Sequence, residues 1–276
     1  MKKRIFALSL AVLMLVSLFA LSSCKKETAY SLITDATAKT EVLDSLDADI
    51  SLDCSLSTMG VTMAIPAEIS MLASGMQEEN TKYALDFSAN IPMAGVSLAG
   101  TAGVEDNWLY LSLMGTNMKM NLASLIESLN VQTPDEEVIS KEESDEMLKE
   151  ILAETEIVKN EDGTKSVAFA LPADKIKEIL KSAAGKFDAE TAAMLEDVEY
   201  SDIAMNYTIN EDGYFSEIEV SATLSVSVED ESLGASDMDV TLDMTIEFND
   251  PGADVTVTMP EGYESFEEVA IEDLLG

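Results

Sequence analysis

The sequence predicts an α+β fold: a single curled antiparallel sheet of about eleven strands, a half-barrel, with short helices on its concave face. Three observations predict it. Apolar and polar residues alternate over long stretches, as where Ile218, Val220, Ala222, Leu224, Val226 and Val228 interleave with Glu217, Glu219, Ser221, Thr223, Ser225, Ser227 and Glu229. Such one-sided alternation marks strands with one buried and one wet face, the habit of antiparallel sheets. Two identical turns, Asn160-Glu161-Asp162-Gly163 and Asn210-Glu211-Asp212-Gly213, each separate two runs of strand character, and Gly is free to take φ > 0 there. Finally, a few segments carry apolar residues at helical spacing behind capping residues.

The chain opens with Met1-Lys2-Lys3-Arg4 and an apolar run from Ile5 to Ala20, the pattern of a secretory signal peptide over residues 1–23. The run ends in Leu21-Ser22-Ser23-Cys24, which resembles the lipobox of bacterial lipoproteins. That resemblance implies that Cys24 is acylated and becomes the membrane anchor, followed by a short tether over 24–27. Two or more acyl chains make anchoring stable where one does not, and Lys25 and Lys26 each add about 1 kcal/mol of attraction to anionic headgroups. The expected location is extracytoplasmic, lipid-anchored to the bacterial cell membrane.

Residues 28–276 carry no Pro, Gly or Ser-rich linker and read as one domain. A helix over 28–45 turns Leu32, Ile33, Ala36 and Leu43 to the core. Strands follow near 48–58, 61–72, 81–91, 95–104, 108–114 and 117–121. Cys54 shares its strand face with Ile50, Leu52 and Leu56, so a buried, inert thiol is expected. Asn121 caps a helix with Leu122, Leu125, Ile126 and Leu129 at i, i+3, i+4 and i+7. The acidic stretch Thr133 to Glu143 reads as a loop, leading through the capping box Ser140-x-x-Glu143 into a helix with Met147, Leu148, Ile151 and Leu152. Strands near 155–159 and 164–171 precede a helix opened by Pro172, with Ile176, Ile179, Leu180 and Ala183 on one side. Asp188 caps a last short helix before strands near 200–209, 214–228 and 235–249.

Charge excludes several functions. Sixteen Lys plus Arg against 53 Asp plus Glu give a formal charge of −37, so nucleic acid is not a partner. His is absent and Arg4 is the only Arg, which removes Ser-His and Cys-His chemistry and the bidentate anion clamp; an enzyme is not expected. Asp47, Asp49 and Asp53, or Asp237, Asp239 and Asp243, could offer oxygen ligands to calcium, but their spacing says only that they share an outer face. No metal and no cofactor are expected, and the acidic exterior reads as solvated surface.

Eleven strands of about ten residues make a sheet face on the order of 1,750 Å², whereas about 56 helical residues cover on the order of 840 Å². The sheet must curl on itself or be covered by something else. Inward positions include Met63, Met71, Met205, Met238 and Met244; Met suits a flexible apolar guest and equally fills gaps in ordinary cores.

Cys24, the N-terminal helix, the run of antiparallel strands, the helical insert, the further strands and the close Val255-Thr256-Val257-Thr258-Met259-Pro260 before Tyr263 together resemble bacterial lipoproteins and lipid carriers of the LolA, LolB and LppX/LprG type. The resemblance implies an open or half barrel holding acyl chains in its concave apolar face. The expected function is an anchored lipoprotein that binds or transfers a lipid or other amphiphile, with Leu85, Phe87, Phe169, Met205, Tyr207, Leu242 and Met244 lining the site. The alternative is a sensor or protein-interaction lipoprotein that uses the same fold as a filled scaffold for an envelope partner.

Overall fold

The computed structural model describes residues 27–58, 60–78, 80–92, 95–128, 141–184, 198–230 and 234–269. The expected signal peptide, Cys24, the expected cap at Ser140, most of the acidic stretch read as a loop and the helix expected at Asp188 lie outside the described residues.

One sheet organises the molecule. In chain order the strands are β1 (Ser45–Thr58), β2 (Val61–Ser74), β3 (Lys82–Ile91), β4 (Val96–Glu105), β5 (Trp108–Leu113), β6 (Thr116–Asn121), β7 (Val158–Lys159), β8 (Lys165–Leu171), β9 (Val198–Tyr200), β10 (Ile203–Ile209), β11 (Phe215–Asp230), β12 (Gly234–Phe248) and β13 (Glu267–Glu268). They lie side by side as β13-β6-β5-β4-β3-β2-β1-β12-β11-β10-β8-β7, with β9 also on β11. The sheet is curled and does not close, as in a half-barrel. All pairings are antiparallel except β13 on β6.

Thirteen strands stand where about eleven are expected. The run near 200–209 divides into β9 and β10 because Asp202 leaves the ladder to accept the backbone N–H of Ala173 at 2.9 Å, capping the helix there. β13 adds a two-residue edge. The twin turns form as the sequence predicts, with Gly163 at φ 88° and Gly213 at φ 82°.

Four helices are described: α1 (Ala29–Glu41), α2 (Leu122–Ser128), α3 (Lys141–Leu152) and α4 (Ala173–Ala184). Thr28 and Ser31 form a capping box at the start of α1. Its face of Ala29, Leu32, Ile33, Ala36, Thr37 and Thr40 is buried, and Thr37 and Thr40 donate to the carbonyls of Ile33 and Ala36, so no buried hydroxyl there is left unsatisfied. Asn121 Oδ1 accepts from the N–H groups of Ala123 and Ser124, capping α2 as expected. α1 ends at Glu41 rather than near residue 45, since the chain already pairs with β2 from Ser45.

The core lies where α1 and α3 meet the sheet. Phe215, Val167, Ile209 and Ile218 from the strands, with Leu152 of α3 and Ile33 of α1, are almost fully buried there. Tyr207 stacks on Phe169 at 5.6 Å between ring centroids and leans on Phe215 at 5.4 Å, contacts of about 0.5–1.5 kcal/mol each beyond area burial.

Candidate functional site

Strand register fixes which side chains share a face. One cross-strand row runs Val167, Tyr207, Ile218, Ile246, Ile50, Ile69, Phe87, Gly100, Leu113. The next row towards the β1–β2 turn runs Phe169, Met205, Val220, Met244, Leu52, Ala67, Ala89, Leu98. Both lie on the face that packs against α1. From β12 to β6 that face carries no charged side chain at any paired position.

Burial along these rows is uneven, and the unevenness defines the site. At the β8–β12 end the first row is closed: Val167, Tyr207, Ile218 and Ile246 are 0, 3, 1 and 6% exposed. Past β12 the same row is half-buried at Ile50, Ile69, Phe87 and Leu113. Moving up β1, Leu46 and Ala48 are buried, whereas Ile50, Leu52, Cys54 and Leu56 are only half-buried. Met63 to Met71 on β2, Tyr83 to Ile91 on β3, and Leu242 and Met244 on β12 follow the same pattern at their inward positions. The described helices contain 44 residues, enough to cover on the order of 660 Å², and α1 lies across the lower strand ends. A wide apolar surface is left without a covering element among the described residues.

Cys54 corrects an expectation. It is free but half-buried rather than buried, because its partners in register, Leu242 and Ile65, lie on the same uncovered part of the face.

The seven expected lining residues do share this face, in two settings. Leu85, Phe87 and Leu242 are half-buried on the uncovered part. Phe87 leans over Gly100, where an added Cβ would come within 2.7 Å of its ring, so the glycine provides the room the ring occupies. Met205 and Tyr207 sit in the closed core at 7 and 3% exposure, with Phe169 and Met244 packed at its margin. Burial pushes the Tyr207 phenol far above its ordinary ionisation range and that of Tyr83 upward as well.

The opposite face is polar and ordered by cross-strand hydrogen bonds. Ser51 donates to Glu68 at 2.6 Å, Ser225 to Asp239 at 2.6 Å and Ser221 to Asp243 at 2.5 Å. Hydrogen bonds from Ser70 and Asn249 hold the Asp49 carboxyl below its ordinary range. Carboxylates engaged this way are spread along a ladder, and among the described residues none gather in a group of three or more suited to a metal. Two open depressions of about 550 Å³ lie on this face, one bordered by Glu68, Ser70, Asp86 and Thr101, the other by Asn206, Glu219, Ser221 and Asp243. Both are shallow and open to solvent.

A C-terminal strap on the polar face was not legible in the sequence. Met259 and Pro260 press on Gly103, where an added Cβ would meet them at 2.5 and 2.8 Å. Tyr263 meets Tyr110 edge-on at 5.0 Å, and Phe266 is 5% exposed beside the same ring. The signal available in the sequence was Trp108 and Tyr110 falling out of phase with Leu109 and Leu111. No described helix is long and apolar enough to cross a membrane.

No family model matches the chain, and no curated protein matches it. Among solved structures it is similar to LprF from Mycobacterium bovis, with 13% identity over 85% of this chain and 97% of that one and a TM-score of 0.43. It is also similar to a DUF1329 family protein from Desulfovibrio piger ATCC 29098 (13% identity, 83% and 93% covered, TM-score 0.23). A third is a putative outer membrane lipoprotein-sorting protein domain from Vibrio parahaemolyticus (10% identity, 82% and 93% covered, TM-score 0.24).

Proposed function

We propose that the protein is an extracytoplasmic lipoprotein, anchored through acylated Cys24, that holds a lipid or other amphiphile on the uncovered part of its apolar face. One observation carries this reading: a single apolar face, free of charged side chains at its paired positions from β12 to β6, is sealed under α1 and α3 at one end and left half-exposed over β1, β2, β3 and the upper part of β12. Each methylene of a guest buried there gains about 0.8 kcal/mol, and no charged side chain on that face opposes an acyl chain. Leu85, Phe87 and Leu242 are the contact residues, Phe169 and Met244 border them, and Met205 and Tyr207 form the fixed floor where site and core meet. The chemistry asked of these residues is burial and shape, with no bond made or broken.

The burial of Met205 and Tyr207 favours a second reading for that end of the face, a filled scaffold presenting its surface to an envelope protein. Organic extraction of the purified protein, followed by mass spectrometry of the extract and native mass spectrometry with added phospholipids and glycolipids, separates the two. A stoichiometric lipid that is lost in Leu242→Lys while the melting temperature falls by only about 2–4 °C supports the carrier. No lipid under any condition leaves the scaffold. The anchor is tested apart from the ligand: metabolic fatty-acid label should enter the wild type and be absent from Cys24→Ala.

A further inference from the structure

Tyr207 is the one buried tyrosine of the seven in the chain. Its ring is well packed, stacked on Phe169 and leaning on Phe215, but its hydroxyl has no hydrogen-bond partner among the described residues. A buried phenol ordinarily finds one. The register shows why this one does not: Tyr207 stands between Ile218 and Val167, and the inward positions on its own strand are Met205 and Ile209. None offers an acceptor. A Phe ring would fill the same space without the cost of desolvating an unpaired oxygen.

The oxygen is not sealed in. Among the described residues the one fully enclosed side-chain oxygen or nitrogen without a partner is that of Ser144, so the phenol oxygen belongs to the 3% of Tyr207 that still meets accessible space. The adjoining row leads from there onto the open face. Phe169, Val220, Met244, Leu52, Ala67 and Ala89 are half-buried along it, interrupted only by Met205. From β10 to β3 this row spans five strand spacings, about 24 Å. A guest lying along it has one end beside Tyr207 and the other on β3. On the far side of β10 the sheet stops soon: β8 is followed only by the two residues of β7, which pair with Ser166 and Lys165. A headgroup beyond the Tyr207 end therefore passes off the sheet edge.

The chemistry at that end restricts what the hydroxyl can meet. Burial keeps the phenol protonated far beyond its ordinary range, so it is available as a donor. Cations nearby are committed elsewhere: Lys165, one inward position below Val167, pairs with Glu27 at 2.5 Å, while Lys39 of α1 and Lys149 of α3 are held by Asp212 and Asp145. A phosphate or carboxylate would be buried beside Tyr207 without a counter-charge, whereas a neutral carbonyl gives up little hydration and gains the bond. We propose that the Tyr207 phenol donates a hydrogen bond to the acyl carbonyl of a bound lipid. The guest is then an acyl lipid held with its linkage at the β8–β10 end of the face and its chains directed over β12 and β1 towards β3. This inference rests on the carrier reading and adds to it a chemical class and an orientation.

The test uses the purified, delipidated protein and two probes, phosphatidylcholine with ester-linked chains and its ether-linked analogue of equal chain length, which keeps the apolar chains and lacks the carbonyl. Native mass spectrometry in direct competition reads the relative affinity. The infrared carbonyl band of the bound ester lipid reads the hydrogen bond. Wild type should favour the ester lipid about tenfold, with the band at lower wavenumber than in Tyr207→Phe. That variant should bind the two lipids alike and, without lipid, melt no lower than wild type, since the ring contacts remain and an unpaired hydroxyl is removed. Equal affinities in wild type, a preference that survives in Tyr207→Phe, or a lower melting temperature of that variant would overturn the inference and assign the hydroxyl to a buried water, leaving the carrier reading intact. Binding of neither lipid would overturn the carrier reading itself, and this inference with it.

Discussion

Two parts of one apolar face behave differently. Over β8, β10, β11 and the lower end of β12 the face is closed by α1 and α3, and Phe215, Ile218 and Ile209 are almost inaccessible. Over β1, β2, β3 and the upper end of β12, side chains of the same type on the same register rows are half-exposed. Composition does not distinguish Ile218 from Ile50; the element lying above each does. Alternation therefore reports which way a side chain points, and helix supply decides whether it becomes core or binding surface.

The largest effect should come from charging the closed part. Ile218→Lys buries an unpaired ammonium and is expected to cost several kcal/mol or prevent folding, whereas Leu242→Lys, where water already reaches, should cost about 1 kcal/mol. Urea unfolding of both variants gives the difference, and equal losses would mean that the face is closed throughout. Next in size, Leu152→Ala in α3, at 1% exposure, should cost about 2–5 kcal/mol, against about 1 kcal/mol for Leu56→Ala on the open part. The strap sets a smaller scale: Gly103→Val would force Met259 and Pro260 off the sheet at about 1–3 kcal/mol, seen as faster proteolysis after β12.

The smallest effect is electrostatic. Desolvation, with Glu219 and Glu247 nearby, raises the Glu217 pKa, and Glu247 is its partner in register. A carboxyl whose folded pKa is raised opposes folding at neutral pH, and that penalty disappears as pH falls through the raised value. Glu217→Gln should therefore stabilise the protein at pH 7 by about 0.2–1 kcal/mol, and the gain should vanish once the wild-type carboxyl is protonated in both states. A constant gain across pH would assign it to something other than charge.

Strand positions were legible because period-two alternation is strong from Tyr83 to Ile91 and from Glu217 to Glu229, and the helix starts because Asn121 and Pro172 act through local geometry. The break at Ser201-Asp202 was hidden, since it depends on Asp202 reaching Ala173 across 29 residues of chain. Cys54 shows the same limit in the candidate site. Its face followed from alternation with Asp53 and Ser55, but its exposure depends on where α1 ends, which no local pattern around Cys54 encodes. The strap over Gly103 joins residues more than 150 positions apart and left only Tyr110 out of phase as a trace.

Cys54 offers the most direct test of the open face. In the chain from Glu27 onward it is the only thiol, and it sits between Leu52 and Leu56 on the uncovered part. Alkylation of the native protein, timed with and without saturating phospholipid, reads both openness and occupancy. The proposed function requires measurable labelling of the delipidated native state and at least about tenfold slowing when lipid is bound. Labelling that appears only on unfolding, or a rate that lipid leaves unchanged, would contradict it.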